Sequence, residues 1–409
     1  MTRRTFLAAS ASALHARERV RREVFLRSPA PGTAVLCDAY YAKASGGDMM
    51  SIEHRMSRSD TVDVSYYRFS KDNGRTWTAP VERRTGEKRP GGMLRRHPRA
   101  CFVDPHTDRF LEFWVEGILP HDDPLEGMFE WNVFYRVNGG TAHQIIHEGR
   151  EFTPTHPLPG IWTGKNCLML GDVGSVPIAL QDGTILVPAI STPLGPDGKL
   201  YNPTGGYTYT DGLVLQGRWS GKQLVWKASE RILGDPERMT RGVDEPTIET
   251  LPGGRLILVL RGSNDKNPSL PAYKWVSFST DGGSHWTKPE PWTYDNGEPF
   301  FAPSACSNLV RHSSGKLFWA GHISATNPRG NRPRYPLYLG EVDQRSGRLI
   351  RDSLVKIDDR QPGEDENMMI YSVYGHEDRE THDIVVYASR LFLPKGNFSG
   401  DAMLYRITV

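Results

Sequence analysis

Carboxylates and arginines collect beside apolar runs in this chain, and a tyrosine joins them near its end. Glu53-His-Arg55-Met-Ser-Arg-Ser-Asp60 precedes the run 63–69. Asp244-Glu245 opens a strand-turn-strand pattern that ends at Arg261. Arg332-Pro-Arg334 stands just before the run 335–339, and Tyr371-Ser372 lies in the last part of the chain. Carboxylates can pass protons, and arginines hold an anion by bidentate, charge-assisted bonds at any working pH. A phenol has a free pKa of about 10 and becomes a nucleophile when a neighbouring carboxylate takes its proton. Residues this remote along the chain act together only if some scaffold brings them to one place.

The scaffold is signalled by a repeated phrase. Ser70-Lys-Asp72-Asn-Gly74-Arg-Thr-Trp77 and Ser279-Thr-Asp281-Gly-Gly283-Ser-His-Trp286 both read S-x-D-x-G-x-x-W and both run on into Thr-x-Pro. Each follows an apolar strand-like run, 63–69 and 273–278. The physics is that of a hairpin turn: the Asp accepts hydrogen bonds from turn amides, the Gly takes a positive φ, and the Trp packs beneath. Asp72, Trp77, Asp281 and Trp286 are therefore expected to be structural.

Strand-turn units recur at 35–80, at 97–150, from Gly171, from Glu245, at 303–345 and from Met368 to the end. Asp182-Gly183, Pro252-Gly253-Gly254 and Ser313-Ser-Gly315 mark turns between apolar runs. No helical periodicity is sustained. The predicted fold is all-β, a six-bladed β-propeller over residues 17–409, with a strand near Val24-Phe25-Leu26 completing the last sheet. A propeller gathers the inner strands of its blades around a central funnel, the natural place for a site.

The bulk numbers fit that fold. In 409 residues there are 41 Gly, 30 Pro, 10 Trp and 16 Tyr, as many short strands joined by turns require. Net charge is +2 with dispersed arginines, so no nucleic-acid partner is implied. No run of 18 apolar residues occurs, so no membrane span is expected. Cys37, Cys101, Cys167 and Cys306 are far apart without metal spacing and read as buried free thiols. No metal and no cofactor is implied. Thr2-Arg3-Arg4-Thr5-Phe6-Leu7 and the alanine-rich stretch after it read as a twin-arginine signal peptide over 1–16, and hence as a periplasmic or secreted bacterial protein. A monomer is expected.

The paired S-x-D-x-G-x-x-W phrases are the Asp-box, or BNR repeat, of sialidase-like propellers, and the first unit resembles the exo-α-sialidases (neuraminidases) closely. Glu53, Arg55, Asp60 and the Asp-box at Ser70 match that family in order and spacing. The resemblance implies a retaining exo-glycosidase that removes terminal sialic acid or a related acidic sugar from a glycan. It makes Asp60 the general acid/base, Glu245 the base and Tyr371 the nucleophile. Arg55, Arg261 and Arg334 become substrate contacts, with Arg332 as runner-up and Glu53 beside them. Glu249, within its strand, has a weaker claim, and Asp63 reads as structural. A tyrosine suits a substrate with a carboxylate at its anomeric carbon, because a carboxylate nucleophile would be repelled. Asp60 would protonate the leaving oxygen, a task suited to a buried carboxyl.

Two family positions are missing. Sialidases carry a first carboxylate-binding arginine in a Phe/Tyr-Arg-Ile-Pro motif, yet no arginine occurs here between Arg27 and Arg55. The Glu that steadies it, expected near the end of the last blade, is replaced by Val385-Val-Tyr387-Ala388-Ser389. Losing both together is physically coherent, since a buried Glu without its Arg is an unpaired charge. Lys43, Arg27 or Arg329 could fill the gap, or the substrate could be a different acidic sugar. The alternatives are a propeller polysaccharide lyase or uronate-specific glycosidase with His97, His322 or Tyr371 as base, and a non-catalytic carbohydrate-binding propeller.

Overall fold

The computed structural model describes residues 19–145, 160–162, 164–392 and 397–409. The signal peptide expected over 1–16 lies outside the described residues. The described chain is almost entirely strand, with one α-turn at Gly127–Glu130 and three short 3₁₀ turns. Among the described residues no helix is long and apolar enough to cross a membrane.

The strands form consecutive antiparallel meanders arranged as a β-propeller. Four sheets stand separately. The first of these runs from Gly86–Arg89 to His143–Gln144, the second from Ile178–Ala179 to Gln223–Ala228, the third from Asp244–Thr250 to Glu290–Pro291, and the fourth from Asn308–Arg311 to Val355–Asp358. The remaining strands make one eight-stranded sheet. Hydrogen bonding therefore divides the described strands into five sheets and not into the six separate ones that the sequence predicts. The physical reason is a single parallel pair, Ala34 with Gly400, which joins the meander starting at Met369–Glu377 to the one starting at Ala34–Tyr41. The strand Val20–Leu26 pairs antiparallel with Gly400–Ile407, so the two ends of the described chain meet in this sheet.

The two repeated turns have the geometry their residues dictate. Ser70 donates to Asp72 over 2.8 Å, and the amides of Gly74 and Thr76 donate to Ser70 and Asp72 over 3.0 and 2.9 Å. In the second turn Gly283 donates to Ser279 over 3.0 Å, and His285 to Asp281 over 3.0 Å. Gly74 and Gly283 have φ of +79° and +86°, and a Cβ on Gly74 would stand 3.3 Å from the Trp77 ring. Only glycine keeps both the dihedral and the room for the indole.

Hydrophobic burial lies between sheets. Phe113 and Val115 pack on Val187 and Leu213, Leu186 and Val214 on Leu256 and Leu258, Ile257 and Val259 on Leu317 and Trp319, and Val310 and Phe318 on Ile370 and Val386. Met50, Ile52, Tyr67 and Cys101 continue the series back to Tyr374 and Tyr387. A strand covered on both faces has no polar side, so Leu256–Arg261 is buried throughout, whereas Val81–Arg84 at a sheet edge is exposed throughout. The four cysteines are buried and free.

Closure of the two ends is electrostatic as well as apolar. Asp358, 5 % exposed, accepts from Arg22 over 3.0 Å and from Tyr405 over 2.6 Å, and also from Arg390. Three segments thus converge on one carboxylate. Asp358→Ala leaves Arg390 buried beside the vacated position, and removing one partner of a buried pair costs about 3–5 kcal/mol. The expected loss, about 3 kcal/mol by the lower end of that range because Glu364 also binds Arg390, is read from urea unfolding. A loss below about 1 kcal/mol would show that this carboxylate does not hold the ends together.

Candidate active site

A cavity of about 680 Å3 opens among the inner strands. It is lined by Asp60, Glu245 and Tyr371, by Arg261, Arg332 and Arg334, and by residues the sequence does not single out. Asp60, Glu245 and Ser372, the neighbour of Tyr371, all have positive φ: +57°, +41° and +63°. Such dihedrals in non-glycine residues cluster where side chains are aimed for function. The register of Asp244–Thr250 against Leu256–Arg261 shifts between Asp244 and Thr247, and that of Met369–Glu377 shifts between Tyr371 and Tyr374. A bulge re-aims a side chain that strict alternation would send elsewhere.

Glu245 is held from one side. Its Oε1 accepts from Arg261 over 2.5 Å, while its Oε2 is buried without a partner among the described residues. Burial works against its charge, but Arg261, then Arg334 and Lys274, outweigh that and hold it below the ordinary carboxylate range. Beside it, burial and the Glu245 charge keep Asp244 above that range against the pull of Arg261. Ser304 orders the two arginines: its Oγ accepts from Arg261 Nε over 2.7 Å and its carbonyl from Arg334 over 3.2 Å. The Arg334 guanidinium stands 4.9 Å from the centre of the Tyr371 ring. Its backbone is tied to the same strand, with Ile370 donating to the Arg334 carbonyl over 3.0 Å. Burial raises the Tyr371 phenol well above its usual value, Asp172 and Asp60 add to this, Arg334 opposes it, and Glu245 adds further.

Asp60 stands differently from the expectation. It is an exposed residue at the cavity rim, on a tight turn closed by the Arg58–Thr61 bridge, and Ser59 donates to it over 3.1 Å. A bound molecule, and not the fold, would have to cover it.

Arg55 and Glu53 are not brought to the cavity. The strand Met49–Met56 keeps unbroken register with both neighbours, so its side chains alternate strictly. His54 and Met56 face the cavity, which turns Glu53 and Arg55 away. Arg55 instead donates to Glu53 over 2.7 Å and lies 4.3 Å from the centre of the Tyr66 ring, while Arg68 donates to the other Glu53 oxygen over 3.1 Å. Arg55 is therefore engaged with Glu53 and Tyr66 and does not line the cavity.

Three further residues bring charge to the cavity. Asp172, on the loop that opens the third strand-turn unit, lies 3.9 Å from Arg99; burial raises it, Arg99 opposes, and Glu245 raises it again. Arg99 points inward from a third bulge, between Pro98 and Cys101, and its Nε is buried without a partner among the described residues. Arg241 lies 3.9 Å from Asp244, donates to Thr208 over 2.7 Å, and also keeps a buried, unpartnered Nε. The cluster Arg241-Gly-Val-Asp244-Glu245 is visible in the sequence. The bulge behind Arg99 is not.

Of the cations considered for the missing arginine, Arg329 lines the cavity. Lys43 and Arg27 sit 3.7 and 3.6 Å from Asp108 and Asp401 and do not line it. Of the histidines considered as a lyase base, His97 lines the cavity, but its ring is buried, accepts from the Val62 amide over 3.4 Å and is held well below its usual pKa by burial and Arg99. His322 is 1 % exposed and does not line the cavity.

No family model matches the sequence, and no curated protein does either. Solved structures do match. A protein of unknown function from Dyadobacter fermentans aligns over 95% of this chain and 100% of its own, at 14% identity and a TM-score of 0.61. The NanB sialidase of Streptococcus pneumoniae aligns over 91% of this chain and 68% of its own, at 13% identity and 0.59. An α-L-arabinanase of Penicillium chrysogenum aligns over 94% and 97%, at 14% identity and 0.53. The chain shares the propeller fold found in sialidases and arabinanases.

Proposed function

We propose that this protein is a retaining glycoside hydrolase that removes a terminal acidic sugar, sialic acid or a relative, from a glycan. The observation that carries the reading is the joint presence of Tyr371, Glu245, Asp60 and an arginine cluster around one cavity. On this reading the eight-stranded sheet counts as two blades, which makes six with the four separate sheets. The twin-arginine stretch would export the protein.

In the proposed reaction the Tyr371 oxygen attacks the anomeric carbon and gives its proton to Glu245. The unpartnered Oε2 is the oxygen free to take it. The raised phenol would not ionise alone near neutrality, so proton transfer and attack belong to one step. Asp60 protonates the departing glycosidic oxygen, and then removes a proton from the water that hydrolyses the tyrosyl-linked sugar, while Glu245 returns its proton to the departing Tyr371 oxygen. Arg261 and Arg334, fixed by Ser304, hold the sugar carboxylate. Arg99 or Arg241, each with an unsatisfied guanidinium nitrogen, takes the place of the absent first arginine.

Asp60→Asn tests the acid role. Its kcat/KM on an alkyl sialoside should fall about 100-fold or more, and on a nitrophenyl sialoside under about 10-fold, because a good leaving group needs little protonation. Equal losses would reassign Asp60 to binding.

A second reading rests on Asp172 and Glu245. Their surroundings push one carboxylate up and the other down, the arrangement of an acid and a base in two-carboxylate glycosidases. That chemistry would suit a neutral sugar such as an arabinofuranoside. Side-by-side assays with aryl sialoside, aryl uronide and aryl arabinofuranoside separate the readings.

A further inference from the structure

We propose that a cleft on the flank of the ring, between Val81–Arg84 and the neighbouring five-stranded sheet, binds a saccharide unit of a glycan chain separately from the axial cavity. The cleft is about 470 Å3. The inner part of this contact is packed in the usual way, with Ile52 and Tyr67 against Cys101. Further out the two walls do not close.

The face of the five-stranded sheet that meets the cleft is patterned in rows. Register pairs Pro98 with Trp114 and Trp114 with Phe134, an apolar row. On one side of it lies Arg96 opposite Glu116, with Nε donating over 2.7 Å. On the other lies Glu112 opposite Arg136, joined by two bonds of 2.6 and 2.5 Å. An aromatic strip is thus flanked on both sides by hydrogen-bonding ion pairs.

The strip is preorganised. Trp114 and Phe134 are near-parallel, 5.8 Å between centroids with planes 12° apart, and both are half-buried. The Trp114 indole N–H donates to Glu116 over 3.2 Å, so the ion pair also sets the ring. The opposite wall supplies Arg83 and Arg84 from a fully exposed edge strand.

This pattern matches a sugar ring. The C–H face of a pyranose or furanose is apolar and lies on an aromatic surface, while its hydroxyls point outward to carboxylates and guanidinium groups. A protein partner would need a larger apolar face than one row of three side chains provides. The ligand class rests on the glycan reading above, but the flank site does not use the axial residues.

The test is native gel electrophoresis of the whole protein through gels containing bovine submaxillary mucin, polygalacturonate or debranched arabinan, with the variants Trp114→Ala and Trp114→Gln. Expected is retardation of the wild-type protein by at least one polymer, with the apparent association constant at least 5-fold lower in both variants. Hydrolysis of a small aryl glycoside should stay within 2-fold, and near-ultraviolet circular dichroism reports whether each variant is folded. Trp114→Gln keeps side-chain bulk if the alanine variant unfolds. No retardation by any polymer, or equal retardation of wild type and a folded variant, overturns the proposal. The gel reads binding without turnover, so an inactive axial site leaves this result interpretable.

Discussion

Tyr371→Phe should lower kcat on an aryl sialoside by at least about 1000-fold, equivalent to roughly 4 kcal/mol of lost transition-state stabilisation. The substitution removes one oxygen and leaves the ring, its contact with Arg334 and the bulge in place. Thermal stability should change little, since among the described residues no hydrogen bond from the phenol organises the fold. KM should also change little, because the arginines that would bind the substrate remain. The measurement is steady-state kinetics with a single-turnover check for residual hydrolysis. Activity within 10-fold of wild type would remove the tyrosine mechanism. If Asp172→Asn were then inactive on an arabinofuranoside, the two-carboxylate reading would take its place.

Arg261→Met should have the second-largest effect, and it combines function with stability. On function, kcat/KM for an acidic sugar should fall about 100-fold or more, roughly 3 kcal/mol, because a charge-assisted contact to the substrate carboxylate is lost. On stability, the variant leaves Glu245 buried without its closest counter-charge, which costs about 3–5 kcal/mol when one partner of a buried pair is removed.

The pH dependence then changes sign. In the wild-type protein Glu245 lies below its unfolded value, so its contribution is present above the unfolded pKa of about 4.3 and is lost as pH falls through the folded one. Without Arg261, burial should place it above the unfolded value. The folded state then binds more protons, and stability falls as pH rises through and beyond that carboxylate range. Urea titrations at pH 5 and pH 8 should show the variant relatively more stable at pH 5. Parallel pH profiles for the two proteins would mean that this pair does not set the charge of Glu245.

Much of the scaffold is local chemistry and so was legible in the chain. Asp182-Gly183, Pro252-Gly253-Gly254 and Ser313-Ser-Gly315 each fall between paired strands. The strand at Val24-Phe25-Leu26 pairs with the end of the chain as its position predicted. The strand-turn-strand pattern from Asp244 to Arg261 was legible as well, and its short turn places Asp244 opposite Arg261; the bond from Arg261 to Glu245 was not read from it. The place of Arg55 outside the cavity is not legible in the sequence, because spacing along a strand does not say which face points to the axis. His54 and Met56 took that face, and an unbroken ladder cannot rotate one residue away from its neighbours.

By itself, then, the sequence determined that the chain is built of strand-turn units and which turns join several of the strands. Turn dihedrals, hydrogen-bonding side chains and period-two burial all act over a few residues. Tertiary structure alone decided that Asp172 and Arg99 enter the cavity, that Asp60 stays at its rim, and that Glu245 keeps one oxygen unpartnered among the described residues. It also decided that the first and last meanders share one sheet. Those outcomes depend on bulges and on closure of the ring, where segments hundreds of residues apart meet, and pairing at that distance leaves no local pattern to read.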